Sequence, residues 1–315
     1  MNKKIPLLVI CGPTATGKTK LSIDIAKEKN GEIISADSMQ IYKGMDIGTA
    51  KPSLCEMQGI KHYLIDEIEP NENFSVARFK ELAQKYILEI RKKNKLPIIV
   101  GGTGLYISSL VENVKFGDFQ ANYSYREELS EKAKTDGGIV LKEMLYKVDT
   151  VTAQILHEND IKRLIRALEI FKITGQPQSY WVEQSKKEEP PYNSLIIGLT
   201  YSDRGKLYEK INQRVDEMIN KGLIDEVKSL LAKGLDKYAT SMQAIGYKEL
   251  AKYLSGEENL SQAIDKIKQE SRRYAKRQLT WFRRDKSIKW IEIDEIRNFE
   301  KIKKIFLKYM ENFGF

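Results

Sequence analysis

The chain has 315 residues, 41% of them hydrophobic, with 53 basic side chains against 44 acidic ones and a net charge of +9. That is the composition of a globular protein large enough for one big domain or two ordinary ones. Two cysteines in unrelated contexts, Cys11 and Cys55, exclude a disulfide framework, and with only His62 and His157 no metal-ligand cluster is visible.

These features fit a reducing, cytoplasmic compartment. No apolar run approaches the ~20 residues that cross a bilayer. Met1 to Cys11 carries two lysines and then an apolar run, faintly like a signal peptide. It leads straight into Gly12-Pro13-Thr14 with no small-residue cleavage site, so it reads as a buried first strand. The basic excess suggests an anionic partner, although an excess this modest is often only a lysine-rich surface. Its location decides.

In chain order, Pro6 to Cys11, Glu32 to Ala36, Tyr63 to Ile65, Pro97 to Gly101, Ser194 to Leu199 and Ile288 to Ile293 read as strands. These runs are nearly continuous rather than alternating, as expected when helices cover both faces of a parallel sheet. Lys18 to Glu28 and Val76 to Lys93 carry helical periodicity between them. The alternation predicts an α/β fold with a doubly wound parallel sheet.

The rhythm breaks from Lys115 to Pro191, where the sequence reads as several helices. In one of them Ile161, Leu164, Ile165, Leu168 and Phe171 share a face, with Lys162, Arg163 and Arg166 off it. Gly175-Gln176-Pro177 ends it. We read 115–191 as a helical insertion into a core made of 1–114 and 192–315. Beyond it, Leu207, Ile211, Val215, Met218 and Ile219 trace an apolar stripe with Gly222 as the expected C-cap, and Ser271 to Arg284 reads as a further helix.

Gly12-Pro13-Thr14-Ala15-Thr16-Gly17-Lys18-Thr19 matches G-x-x-x-x-G-K-[ST] in full, after an apolar strand and at the start of a helix. Such a loop points successive N–H groups at phosphate oxygens, and the helix N-terminus adds a favourable partial charge. Lys18 neutralises terminal oxygens, and the Thr19 hydroxyl can ligate Mg²⁺. The loop says polyphosphate without saying ATP. A second acidic residue for magnesium could be Asp37 or Asp66, yet neither follows a long strand of the usual triphosphatase type. A P-loop kinase and a non-catalytic RNA-binding ATPase module both stay open on these residues alone.

Asp37-Ser38-Met39-Gln40-Ile41-Tyr42-Lys43-Gly44-Met45-Asp46-Ile47-Gly48-Thr49-Ala50-Lys51-Pro52 resembles the signature of the bacterial tRNA dimethylallyltransferases, also called tRNA isopentenyltransferases. Further resemblances follow in the family's order. They are Phe74 to Phe79, Gly101-Gly102-Thr103-Gly104-Leu105-Tyr106, Asn159-Asp160 leading into Arg163 to Glu169, Ala244 to Glu249, and Ala275 to Arg283. Together they span nearly the whole chain. Thr16 stands where the family more often has serine, and Lys162 where it often has glutamine.

The resemblance implies a P-loop fold and transfer of a dimethylallyl group from dimethylallyl diphosphate to N6 of the adenosine 3′ of the anticodon, with Mg²⁺. It implies that Asp37 is the general base taking the amine proton. Lys18, Thr19 and Arg214, the last in Asn212-Gln213-Arg214-Val215, would stabilise the departing diphosphate.

It implies tRNA contacts at Asp37, Ser38, Met39 and Gln40 around an extruded base, and at Thr103 and Arg126 nearby. Lys162, Arg163, Leu164, Ile165 and Arg166 would bring the insertion against the anticodon stem-loop. Gln243, Lys248, Lys276, Arg277, Gln278 and Arg283 complete the set, with Tyr274, Trp281 and Phe282 interleaved among the basic residues. A monomer is expected from the lack of an obvious dimerisation stripe.

Overall fold

The computed structural model describes residues 4–115, 121–296 and 298–315. Residues 1–3, at the head of the expected first-strand run, and 116–120, within the expected insertion, lie outside them.

The elements run β1 (Ile5–Cys11), α1 (Lys18–Glu28), β2 (Gly31–Ser35), α2 (Leu54–Met57), β3 (His62–Tyr63), α3 (Val76–Lys92), β4 (Leu96–Gly101) and α4 (Gly104–Val111). Then come α5 (Tyr123–Asp136), α6 (Gly138–Tyr146), α7 (Thr150–Ile155), α8 (Ile161–Thr174) and α9 (Gln178–Lys186). The chain returns through β5 (Tyr192–Thr200), α10 (Arg204–Asn220), α11 (Leu223–Ala232), α12 (Tyr247–Leu254), α13 (Leu260–Phe282), β6 (Lys289–Glu292) and α14 (Phe299–Phe313).

The six strands form one parallel sheet in the order β3-β2-β4-β1-β5-β6. Leu8, Ile10, Ile98, Val100, Ile197 and Leu199 bury one face under Leu21 and Ile25 of α1 and Phe306 and Met310 of α14. The continuous apolar strand runs are the sequence trace of this two-sided cover. Because β4 lies between β1 and β2, the segments leaving all three strands emerge side by side at the carboxyl edge, where open α/β sheets bind ligands.

The chain divides into two compact units, one of Met1–Leu110 with Pro191–Phe315 and the other of Val111–Pro190. The second has its own core of Leu129, Leu141, Leu145, Ala153, Leu164 and Leu168. Among the described residues no helix is long and apolar enough to cross a membrane.

Three local expectations need correction. The third strand is His62–Tyr63 rather than Tyr63 to Ile65, because Leu64 and Asp66 take positive φ and turn the chain. Gly222 does not close α10: Lys221 does, and Gly222 begins α11 with φ 96°. The helix expected from Ser271 starts at Leu260, where Asn259 and Gln262 form a reciprocal cap and the sparse stripe Ala263, Ile267, Ala275, Leu279 buries one face.

Candidate functional site

The phosphate loop opens at a contact that leaves no room for a side chain. Gly12 has φ 135°, and a Cβ there would lie 2.2 Å from the Leu199 carbonyl oxygen on β5. Gly17, at φ 76°, opens α1. Pro13 and Thr16 are buried, while Thr14, Ala15 and Lys18 are half-buried and Thr19 is exposed at the helix start. The Pro13 carbonyl accepts from Lys18 Nζ at 2.6 Å and from Thr16 Oγ1 at 2.9 Å.

Burial, and after it the charge of Arg214, pulls the Lys18 ammonium down to about 8, while Cys11 and Asp37 oppose that pull. Arg214, on α10, is itself lowered by burial against the opposing charges of Asp37 and Glu217. Lys18, Arg214 and Asp37 therefore share one electrostatic neighbourhood. Its two cations, Lys18 and Arg214, can meet an anionic phosphate group.

Asp37 follows β2 at the edge of the sheet. The Ala36 N–H donates to Val100 O at 2.7 Å, and Ala36 O accepts from Thr103 N at 3.2 Å. Gly101 makes this approach possible, since a Cβ there would sit 2.2 Å from Ala36 O. Asp37 Oδ1 accepts from the amides of Met39 and Gln40 at 2.9 and 3.3 Å. Its second oxygen, Oδ2, has no hydrogen-bond partner among the described residues. The Thr103 hydroxyl accepts from Ser38 N at 3.2 Å, so the Gly101–Gly104 turn and the Asp37 loop are tied together.

Sequence reasoning missed one member of this group. Tyr274, on α13, is pushed up to about 12 by burial and by the charge of Asp37, with Thr103 and Gln278 beside it. It had registered only as an aromatic among basic residues; its place beside Asp37 has no local sequence signal. Asp66, the alternative magnesium ligand, is instead paired with Lys51.

Four expected RNA contacts have other work. Leu164 and Ile165 are in the core of the helical unit, so their side chains are out of reach of a nucleic acid. Gln40 spends its amide inside its own loop, accepting from Ser35 Oγ and donating to the Thr49 and Ala50 carbonyls. Gln278 is buried, with its oxygen taken by Thr14 N at 3.1 Å and its nitrogen by Gly102 O at 2.9 Å.

The remaining expected contacts are at least partly exposed. In the helical unit, Lys162 and Arg163 are exposed. Arg126 donates two bonds to the buried Glu169 carboxylate, at 2.7 and 2.9 Å, and Arg166 donates a third at 2.6 Å. In the sheet unit, Lys276, Arg277 and Arg283 project from α13 and its end. Arg277 lies 5.8 Å from the Tyr274 ring centroid. Gln243 is exposed and donates to Lys237 O, and Lys248 pairs with Glu249.

Among the described residues no cluster of three or more histidine, cysteine or acidic side chains could hold a metal. The fit for Mg²⁺ is of another kind, an exposed Thr19 hydroxyl beside a phosphate cradle, which suits an ion bound largely by substrate oxygens.

A P-loop on a parallel sheet, with a strand-end carboxylate two strands away and a basic helix packed over the turn between them, defines a phosphate-dependent transferase class. Residues 40–285 match the family model described as IPP transferase. A protein of Acetivibrio thermocellus named tRNA dimethylallyltransferase is 54% identical over 308 residues, 98% of each chain. Its namesake in Clostridioides difficile is 49% identical over 98% of this chain and 99% of its own.

Among solved structures, the full-length tRNA isopentenylpyrophosphate transferase of Bacillus halodurans superposes with TM-score 0.73 at 46% identity, covering 98% of both chains. A eukaryotic dimethylallyltransferase captured acting on tRNA gives TM-score 0.75 at 31% identity, covering 88% of this chain and 70% of the other. The chain belongs to the IPP transferase family, the tRNA dimethylallyltransferases.

Proposed function

We propose that this enzyme transfers the dimethylallyl group of dimethylallyl diphosphate to N6 of the adenosine 3′-adjacent to the anticodon of tRNA, releasing diphosphate. The carrying observation is that Asp37 offers a carboxylate oxygen in the same neighbourhood as Lys18 and Arg214. The amine lone pair forms the bond to C1 of the prenyl group as the C1–O bond breaks. The electron pair leaves with the diphosphate, and Asp37 takes the N6 proton. The loop amides, Lys18 and Arg214 stabilise the charge that collects on the leaving group. Bound beside Thr19, Mg²⁺ would add Lewis-acid neutralisation of the same oxygens.

The target base is extruded to meet Asp37, with Ser38, Met39 and Thr103 around it. Arg126, Lys162, Arg163 and Arg166 on the helical unit, and Gln243, Lys248, Lys276, Arg277 and Arg283 on the sheet unit, hold the anticodon stem-loop. This assigns the basic excess to RNA phosphates. The protein works as a cytoplasmic monomer.

The test incubates the protein with unmodified tRNA, labelled dimethylallyl diphosphate and Mg²⁺, with ATP in a parallel reaction. Label in the RNA is expected. Phosphate transfer or hydrolysis from ATP without prenylation overturns the reading in favour of a kinase or ATPase.

A further inference from the structure

We propose that Gln278 is a positioning residue for the phosphate loop, acting on the single peptide between Pro13 and Thr14; the part that concerns prenyl transfer rests on the function proposed above. That peptide is gripped from both ends. Its N–H donates to Gln278 Oε1 at 3.1 Å, and its carbonyl accepts from Lys18 Nζ at 2.6 Å and Thr16 Oγ1 at 2.9 Å. The Gln278 Nε2 donates at 2.9 Å to Gly102 O, in the turn after β4. One side-chain amide from α13 thus joins two loops that are 264 and 176 residues away in sequence.

The chemistry is selective. The bridge needs an acceptor facing Thr14 and a donor facing Gly102, which an amide supplies and a carboxylate does not. Gln278 is 6% exposed, so each missing partner leaves a buried polar group of the backbone unsatisfied. Space is as strict as polarity: a Cβ on Gly102 would lie 2.1 Å from Nε2, so the turn can carry nothing larger than glycine while Gln278 is in place. The orientation of the Pro13–Thr14 peptide decides where the oxygen holding Lys18 points. Through it, Gln278 sets the resting position of the lysine that meets the diphosphate.

The experiment compares wild type with Gln278→Glu and Gln278→Met. Glu keeps the shape but sets oxygen against Gly102 O; Met keeps the volume and removes both bonds. The readouts are KM for dimethylallyl diphosphate at saturating tRNA, kcat, tRNA affinity, and affinity for inorganic pyrophosphate alone.

Both variants should raise KM and weaken pyrophosphate binding by about 10- to 100-fold, the range for a lost buried hydrogen bond. tRNA affinity should stay within about twofold, since an uncharged buried amide gives up no phosphate contact. A fall in tRNA affinity with KM and pyrophosphate binding unchanged makes Gln278 an RNA contact and overturns the proposal. So does a variant that matches wild type in all readouts.

If either variant fails to fold, hydrogen exchange in the folded one decides, through the peptide covering residues 12–18. Faster exchange there supports the bridge, and wild-type protection overturns it. Pyrophosphate binding needs no prenyl chemistry, so the absence of transfer by the wild type counts against the proposed function and not against this residue.

Discussion

Tyr247 donates its phenolic hydrogen to Glu226 at 2.5 Å, and the same carboxylate accepts the backbone amides of Asp46, Ile47 and Gly48 at 3.0, 2.8 and 3.2 Å. Two sequence motifs far apart in the chain are thereby fastened together. Tyr247 is fully buried, and a Cβ on Gly48 would lie 2.4 Å from its ring. Gly48→Ala should therefore destabilise the protein by about 1–3 kcal/mol through overpacking against a rigid ring. Denaturant unfolding measures it, and an unchanged midpoint would show that the ring can give way.

Replacement of Asp37 by alanine removes the proposed proton acceptor and should lower single-turnover transfer by about 10²–10⁴-fold. Binding of tRNA should survive. Transfer at the wild-type rate would assign the proton to another group.

The ammonium of Lys18 sits at about 8, held down first by burial and then by Arg214. For a cation the sign is simple: below that value it is charged and attracts diphosphate, and above it the attraction fades. We expect kcat/KM for the prenyl diphosphate, which reports the free enzyme, to decline as pH rises through about 8. Arg214→Ala should weaken diphosphate binding while moving this decline to higher pH, because the neighbouring positive charge is gone. Loss of binding with an unmoved profile would separate Arg214 from Lys18.

Glu169 is fully buried, and its carboxyl lies below the usual range despite the burial that would raise it, because Arg126 and Arg166 donate to it. Removing it by Glu169→Ala takes away the carboxylate that both guanidinium groups donate to. The helical unit should lose about 3 kcal/mol, the low end for a broken buried pair because both arginines can rehydrate. Its contribution is present above the ordinary glutamate range and is lost as pH falls through the depressed value. Thermal melts at neutral and acidic pH would check this: the variant should match wild type only at the acidic end.

RNA held by Lys276, Arg277 and Arg283 should be released by salt. Each residue exchanged for alanine should reduce the slope of log affinity against log salt by about one. An affinity indifferent to salt would remove the basic helix from the interface.

Much of the sheet was legible because it is buried on both sides. Continuous apolar runs ending in glycine or aspartate mark β1, β2 and β4 to within a residue or so of where they lie. The phosphate loop was legible because its signature residues lie within eight positions, although Leu199 and Gln278 also hold it from far away in the chain. What stayed hidden depends on distant partners. Nothing near Gln278 says that its amide meets Thr14 and Gly102, and nothing near Gln40 says that its amide closes on Thr49 and Ala50. Leu164 and Ile165 show the opposite failing: the apolar face was visible, yet the motif's position beside basic residues drew them into an RNA surface that their burial forbids.

The placement of β5 bears on how the protein is made. Ile5 pairs with Tyr192, and the register then runs strand against strand to Cys11 and Gly198. A ribosome must therefore finish the whole helical unit before the middle strand acquires its second neighbour. Throughout that interval one flank of β1 is a bare, apolar ribbon on the nascent chain, the kind of edge that recruits stray strands. Slowing translation across the helical unit, or withholding chaperones, should reduce the yield of native protein more than the same treatment applied after β5 has emerged.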